Sequence, residues 1–158
     1  MATIENHLIA RTADGNGAIQ VESAQERGLE PLMVMVGGPI KHWWMGDNWG
    51  SDLHNHFIGA RKQVRDALIT AGHCTYFPNE AIKGSWTERA QLINDAAIIN
   101  SDVFVRLDLP GVPAVGTDEE ERVANDHGVP VLRVNVSAAT LEDQLAQLLA
   151  DLEALQKS

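Results

Sequence analysis

Four consecutive carboxylates, Asp118-Glu119-Glu120-Glu121, stand between Gly116-Thr117 and Arg122. A carboxylate can attack an electrophilic carbon, stabilise developing positive charge, or take and return a proton. The segment from Gly116 to Val131 reads as a loop ending in Gly-Thr, a short helix, and an apolar strand after His127-Gly128. Thr117 falls at the N-cap, and Glu120, three residues on, falls where a capping-box acid belongs. Taken alone, acids at a helix start complement the helix dipole and face water. A second acid, Asp95, invites a further reading. Ser85-Trp86-Thr87-Glu88 reads as a capping box opening a helix that runs to about Asn100. On it, Ala90, Ile93 and Ala97 mark one apolar face and Leu92, Ala96 and Ile99 the adjoining one. Asp95 lies between these faces, so its carboxylate is partly buried or points into a cleft. Burial there calls for a hydrogen bond, a cation or a task; the alternative is a cap on a neighbouring loop.

Other residue types suit binding. The run Leu32 to Val36 stops at Gly37-Gly38-Pro39, and a strand running into glycines lets backbone approach a ligand, although a tight turn would use the same residues. From Ile40 to Asn55 comes a loop containing Trp43, Trp44 and Trp49, three of the four tryptophans. It reads equally as a lid whose indoles stack on a planar ligand, as an oligomer contact, or as a loop folded onto its own core. His42, His54 and His56 lack the spacing of a metal site and read as surface or capping histidines. Cys74 reads as a small buried strand residue, with no base beside it to make it a nucleophile.

The elements that position these residues follow from periodicity. Leu32–Val36, His73–Phe77, Val103–Leu107 and Val129–Val134 are short apolar runs of strand type. Phe57, Ala60, Val64, Ala67, Leu68 and Ala71 recur at helical spacing, and Gly72 ends that helix. Leu141, Leu145, Leu148, Leu152 and Leu155 form a stripe on a last helix, packing on the sheet with room for a contact between subunits. Strands alternating with helices predict an α/β fold: a flavodoxin-like or Rossmann-like three-layer sandwich with a mainly parallel sheet of four or five strands. In such sheets ligands bind beyond the carboxyl ends of the strands, near the point where strand order reverses. Gly37-Gly38-Pro39, Asn79 after the second strand, and the loop from Pro110 to Gly116 all reach that edge, with Glu120 at its rim. Residues 1–30 are polar and irregular and form an extension, either a hairpin around Asp14-Gly15-Asn16-Gly17 or a flexible arm; residues 31–158 form the domain.

Composition excludes several classes of function. The chain has 158 residues, 44% hydrophobic and 22% charged, with a formal net charge of -10. That charge argues against a nucleic-acid polymer held on a basic surface, but not against a small nucleotide in a local pocket. No apolar run approaches the roughly 20 residues of a membrane span. The N-terminus lacks the pattern of a signal peptide, and a single cysteine excludes an internal disulfide, so the expected setting is cytoplasmic.

Read together, Val36-Gly37-Gly38-Pro39, Asn79, Asp95 seven residues before Asp102, Gly116-Thr117-x-x-Glu120-x-x-x-Ala124 and Gly128-x-Pro130-Val131 resemble the nucleoside 2-deoxyribosyltransferase-like superfamily. The loop Pro110-Gly111-Val112-Pro113 also resembles that of the related nucleotide N-glycosidases. The resemblance spans about Leu32 to Val134 and is more specific for the superfamily than for a substrate. It implies cleavage of the N-glycosidic bond of a nucleoside or nucleoside monophosphate, with transfer of the sugar to another base or to water. Glu120 then maps to the nucleophile and Asp95 to the group that contacts the base and assists its departure. Gly37, Gly38 and Pro39 map to the base and sugar pocket. Gly116 and Thr117 belong to the nucleophile motif, Asn79 to the same edge, and Trp43 and Trp44 are candidates for stacking. No metal or organic cofactor is implied. Such chemistry passes through an oxocarbenium-like state and needs a carboxylate beside the anomeric carbon and an acid for the leaving base. The expectation is an ionised Glu120, held by helix amides, and an Asp95 with a raised pKa.

Two departures stand out. Met35 occupies the place where the family usually carries a tyrosine that bonds the nucleophile, and Arg122 stands where glycine is common. Arg122, with the basic helix face from Arg61 to Arg65, would suit a monophosphate. The expected partners are a small nucleoside or nucleotide and further copies of the chain in a homo-oligomer, with no membrane. Two readings of another class remain: a catalytically silent nucleotide-binding or sensing protein on this scaffold, and an assembly built on the tryptophan loop and leucine stripe.

Overall fold

The computed structural model describes residues 28–39, 49–81 and 85–158. Along them run β1 (Met33–Gly37), α1 (Asp52–Thr70), β2 (Cys74–Tyr76), the single turn α2 (Pro78–Ala81), α3 (Glu88–Ile99), β3 (Val103–Asp108), α4 (Val115–Asp126), β4 (Val131–Asn135) and α5 (Leu141–Lys157). The four strands pair in the order β2-β1-β3-β4, parallel throughout. This is the expected α/β sandwich, with a four-stranded, wholly parallel sheet. The chain leaves β1 in one direction to β2 and in the other to β3, so the strand order reverses between β1 and β3. The suggested hairpin near the N-terminus, and most of the tryptophan loop, lie outside the described residues.

Strand alternation sorts the core into two halves. Val34, Val36, Val103, Val105, Leu107 and Val134 point to one face and pack with Phe57, Ala60, Val64 and Leu68 of α1 and Leu141, Leu148 and Leu152 of α5. Leu145 and Leu155 are partly buried against the same core, so the whole leucine stripe packs within the domain. Met35 and Phe104 point to the other face and meet Ile98 of α3 and Val123, Ala124 and Val129 at α4 and beyond. Cys74 corrects an expectation: β2 is an edge strand, and the cysteine is exposed rather than buried.

Helix starts also differ from the sequence expectation. Ser51 caps α1, its hydroxyl accepting from the His54 amide, so His54 and His56 lie in a helix rather than in the loop. Both histidines then serve the fold. His54 Nδ1 accepts from the Gly50 amide at 3.0 Å, the ring lies 4.4 Å from that of Trp49, and His56 Nε2 bonds the Val136 carbonyl at 2.7 Å. Thr87, not Ser85, caps α3, accepting from the Ala90 amide at 3.1 Å. No helix among the described residues is long and apolar enough to cross a membrane.

Candidate active site

The loop leaving β3 carries Pro110 and Pro113, which stiffen it and hold the preceding residues out of the α region. The chain becomes helical as soon as Pro113 is passed. Ala114 is the N-cap of α4, and its carbonyl accepts from the Asp118 amide at 2.8 Å to close the first turn. Gly116 and Thr117 therefore lie inside the first turn, which corrects the expectation of a loop capped by Thr117. Gly116 is exposed, whereas Thr117 is 1% exposed, and its hydroxyl has no hydrogen-bond partner among the described residues. Glu120 moves to the second turn, away from the free amides that were expected to hold it ionised.

Helical geometry then gives the four acids four different neighbourhoods. Asp118 and Glu121, three residues apart on one side of α4, both reach Arg106 of β3, a guanidinium that is only 7% exposed. Arg106 Nη1 lies 2.6 Å from Asp118 Oδ1 and 3.5 Å from Glu121 Oε1, and its Nε donates to Asp108 Oδ1 at 2.7 Å. Arg133 of β4 completes the cluster, 2.8 Å from Glu121 and 3.6 Å from Asp108. Glu119 faces outward and pairs with Arg122, which lowers its pKa. Arg122 also holds Asp126 at 2.7 Å. Two residues along an α-helix turn through about 200°, so Arg122 projects from nearly the opposite side to Glu120. The structure does not bring Arg122 to the Glu120 carboxyl; its guanidinium pairs with Glu119 and Asp126 instead.

Glu120 is the exception in the run. Among the described residues no cation lies within ion-pair distance of it. Its Oε2 accepts from Asn94 Nδ2 of α3 at 3.0 Å. Its Oε1 lies against the backbone at the end of β1, so close that a methyl group on Gly37 would sit 2.6 Å from it and 2.9 Å from the Phe104 ring. A side chain fits there only if the Glu120 carboxyl and the Phe104 ring shift, which favours glycine at 37. Removal from water pushes the Glu120 carboxyl up to about 7. The charge of Asp95 pushes the same way, while the Asn94 hydrogen bond and the charge of Arg106 pull it back. The raised carboxyl is thus Glu120, the group expected to be held ionised, because desolvation outweighs the hydrogen bond it receives.

Asp95 is half-buried on α3, close enough to act on Glu120 through its charge. It is held by a short relay: Trp86 Nε1 donates to Gln91 Oε1 at 2.9 Å, and Gln91 Nε2 donates to Asp95 Oδ1 at 2.8 Å. Gly37 is buried beside Glu120 at the carboxyl edge of β1, Gly38 packs against Phe57 on the other side, and Pro39 is buried just beyond. Asn79 sits in α2 directly after β2, its side chain outside the description. Trp43 and Trp44 lie outside the described residues. Among the described residues there is no cluster of three or more histidine, cysteine or acidic side chains able to hold a metal.

Asn94 and Arg106 are the residues that sequence reasoning missed. The sequence reading of α3 put Ile93 and Leu92 inside, but they are 52% and 64% exposed, and Ile99 is 40% exposed. The buried face is Ala90, Asn94 and Ile98. The spacing of four between these residues was the available signal. It was masked because apolar residues surround the whole helix, and the asparagine broke the apolar pattern at the position that matters. Arg106 was hidden within an apolar strand; an arginine flanked by Val105 and Leu107 points to a buried partner, and three acids supply it.

No protein-family model matches the chain, and no curated protein does.

Proposed function

We propose that the chain cleaves the N-glycosidic bond of a nucleoside or nucleoside monophosphate, using Glu120 as nucleophile and passing the sugar to a second base or to water. The observation that carries this reading is the separation of Glu120 from its neighbours. Asp118, Glu119 and Glu121 are each paired with an arginine, whereas Glu120 is desolvated at the β1–β3 crossover with one neutral hydrogen-bond donor among the described residues. A carboxyl largely withdrawn from water, with no ion-pair partner among the described residues, is costly to the fold, which is the usual mark of a group with chemistry to do.

The step balances with the two acids alone. Glu120 gives its proton to Asp95 and, once ionised, bonds to the anomeric carbon as the carbon–nitrogen bond breaks; the electron pair leaves with the base, and Asp95 passes that proton to it. Water or an acceptor base then attacks the same carbon, the Glu120 ester bond breaks, and Asp95 recovers a proton. Positive charge on the sugar favours the ionised form of Glu120, so a carboxyl resting near neutrality releases its proton as substrate reacts. The resemblance to the deoxyribosyltransferase-like superfamily supports the same assignment. Asn94 supports it further: Met35, where the family carries its tyrosine, is fully buried in the core, and the hydrogen bond to the carboxylate comes from α3 instead.

The test is a panel of ribo- and deoxyribonucleosides and their monophosphates, each with and without a second base, followed by chromatography of free base. Release or exchange that falls by about 10³-fold or more in Glu120→Ala supports the assignment. Exchange marks a transferase and release a hydrolase. No turnover across the panel, with one ligand raising the melting temperature, supports the silent binding protein instead.

A further inference from the structure

Arg106 has no place in the chemistry above, yet it is the most enclosed cation of the described residues around Glu120 and the centre of its charge cluster. In the sheet it pairs in register with Gly37, the residue against which the Glu120 carboxylate rests. Its two ion-pair partners on α4, Asp118 and Glu121, lie two residues before Glu120 and one after. One guanidinium therefore holds the helix on both sides of Glu120 and neutralises the two acids that would otherwise face that side of it. Its fork geometry suits such a task, since separate nitrogens can serve Asp108 and the α4 acids at once.

We propose that Arg106 is the positioning residue of the site: it anchors α4 to β3 so that Glu120 lies against Gly37, and it shields Glu120 from the flanking carboxylates. This rests on Glu120 being the reactive group. Among the described residues, the charged groups around Glu120 are Asp95 from α3, Arg106 and Asp108 from β3, Arg133 from β4, and Asp118, Glu119, Glu121, Arg122 and Asp126 along α4. Glu119, Arg122 and Asp126 balance one another on the outer face. Asp95 is the remaining like charge, and Arg106 is the opposing one named among the influences on Glu120. Without Arg106, Asp118 joins Asp95 as an unpaired like charge and Glu121 keeps Arg133 alone, so the carboxylate becomes harder to form.

The experiment is a carboxyl-carbon NMR titration of glutamate-labelled protein, with Glu120→Gln identifying the Glu120 signal. Arg106→Met is expected to move the Glu120 midpoint up by about one pH unit, with Arg106→Lys restoring at least half of the shift. The limb of kcat/KM against pH that Glu120 sets moves with it, and the pair reaches its reactive form less often, so turnover at pH 6 falls about tenfold in Arg106→Met. Because a buried arginine can be needed for folding, the double variant Asp118→Asn/Glu121→Gln gives an independent reading. It removes both flanking charges and lowers the midpoint by half a unit or more. An unmoved midpoint in folded Arg106→Met, equal shifts in the Met and Lys variants, or no downward shift in the double variant each overturns the proposal. Midpoints that move as stated while Glu120→Gln keeps full turnover count against the proposed function alone, because the titration reads Arg106 acting on Glu120 without any reaction.

Discussion

The two faces of the sheet are built on different terms. Under α1 and α5 a large apolar cluster runs from Phe57 and Leu68 through Val105 and Leu107 to Leu148 and Leu152, with His54 a buried polar residue on the inner face of α1. Under α3 and α4 the apolar cluster is smaller, and the same depth of burial holds Asn94, Thr117 and Arg106, with the Glu120 carboxyl beside them. Every strand crosses both faces, so the difference is not one of secondary structure. It comes from alternate residues of the same strands: Val103, Val105 and Leu107 face one way, Phe104 and Arg106 the other. One face holds the domain together, and the other accepts buried polar groups whose cost the first offsets.

If that division is right, truncating the apolar face harms stability most. Phe57→Ala removes a fully buried ring against which Gly38 also packs, and is expected to cost about 3–5 kcal/mol in denaturant unfolding. A cost below about 1 kcal/mol would mean that the α1–α5 face is not the main source of stability.

The opposite sign is expected on the polar face. Glu120 has a folded-state pKa raised to about 7 from an ordinary 4.5. Below 4.5 both folded and unfolded chains carry it protonated, and its contribution to stability is fully present. Between 4.5 and about 7 the unfolded chain ionises first, and that contribution is lost. Glu120→Gln should therefore match the parent at pH 4 and exceed it by about 2–3 kcal/mol at pH 8, read from urea midpoints at both pH values. Equal stability at pH 8 would show that the carboxyl is not desolvated as described. The same titration predicts that kcat/KM falls as pH rises through an apparent pKa near 7, since the proton that Glu120 holds is the one Asp95 passes to the base.

Two glycines give the finest comparison. Gly37→Ala forces a methyl group against the Glu120 carboxylate and the Phe104 ring, and is expected to cost about 1–3 kcal/mol and to suppress turnover. Gly116→Ala lies in the first turn of α4 with nothing within 4 Å of the added methyl, and is expected to stabilise by about 0.5–1 kcal/mol. Thermal unfolding of both variants reads the difference. Matching effects would remove the argument that Glu120 is pressed against the end of β1.

Much of this molecule is legible without coordinates. Short runs of Val, Leu, Ile and Met bounded by glycine and proline can be satisfied only as buried strands, and helical spacing between them dictates crossovers and a parallel sheet. That topology sends Gly37 and the approach to Glu120 to one edge, whatever the details of packing. Asp95 and Glu120 could be singled out because carboxylates at such positions need a reason. What only the tertiary structure decided is which neighbours supply it. α3 carries apolar residues all round, so periodicity cannot choose its inner face; packing on Met35 and Phe104 chose Ala90, Asn94 and Ile98. The start of α4 depends on how the Pro110–Pro113 loop lands on the sheet, and that landing carried Glu120 into the second turn. Four adjacent acids are alike in sequence. They became different because Arg106, Arg122 and Arg133 lie at fixed places around a helix whose rotation is set by Val123 and Ala124 in the core.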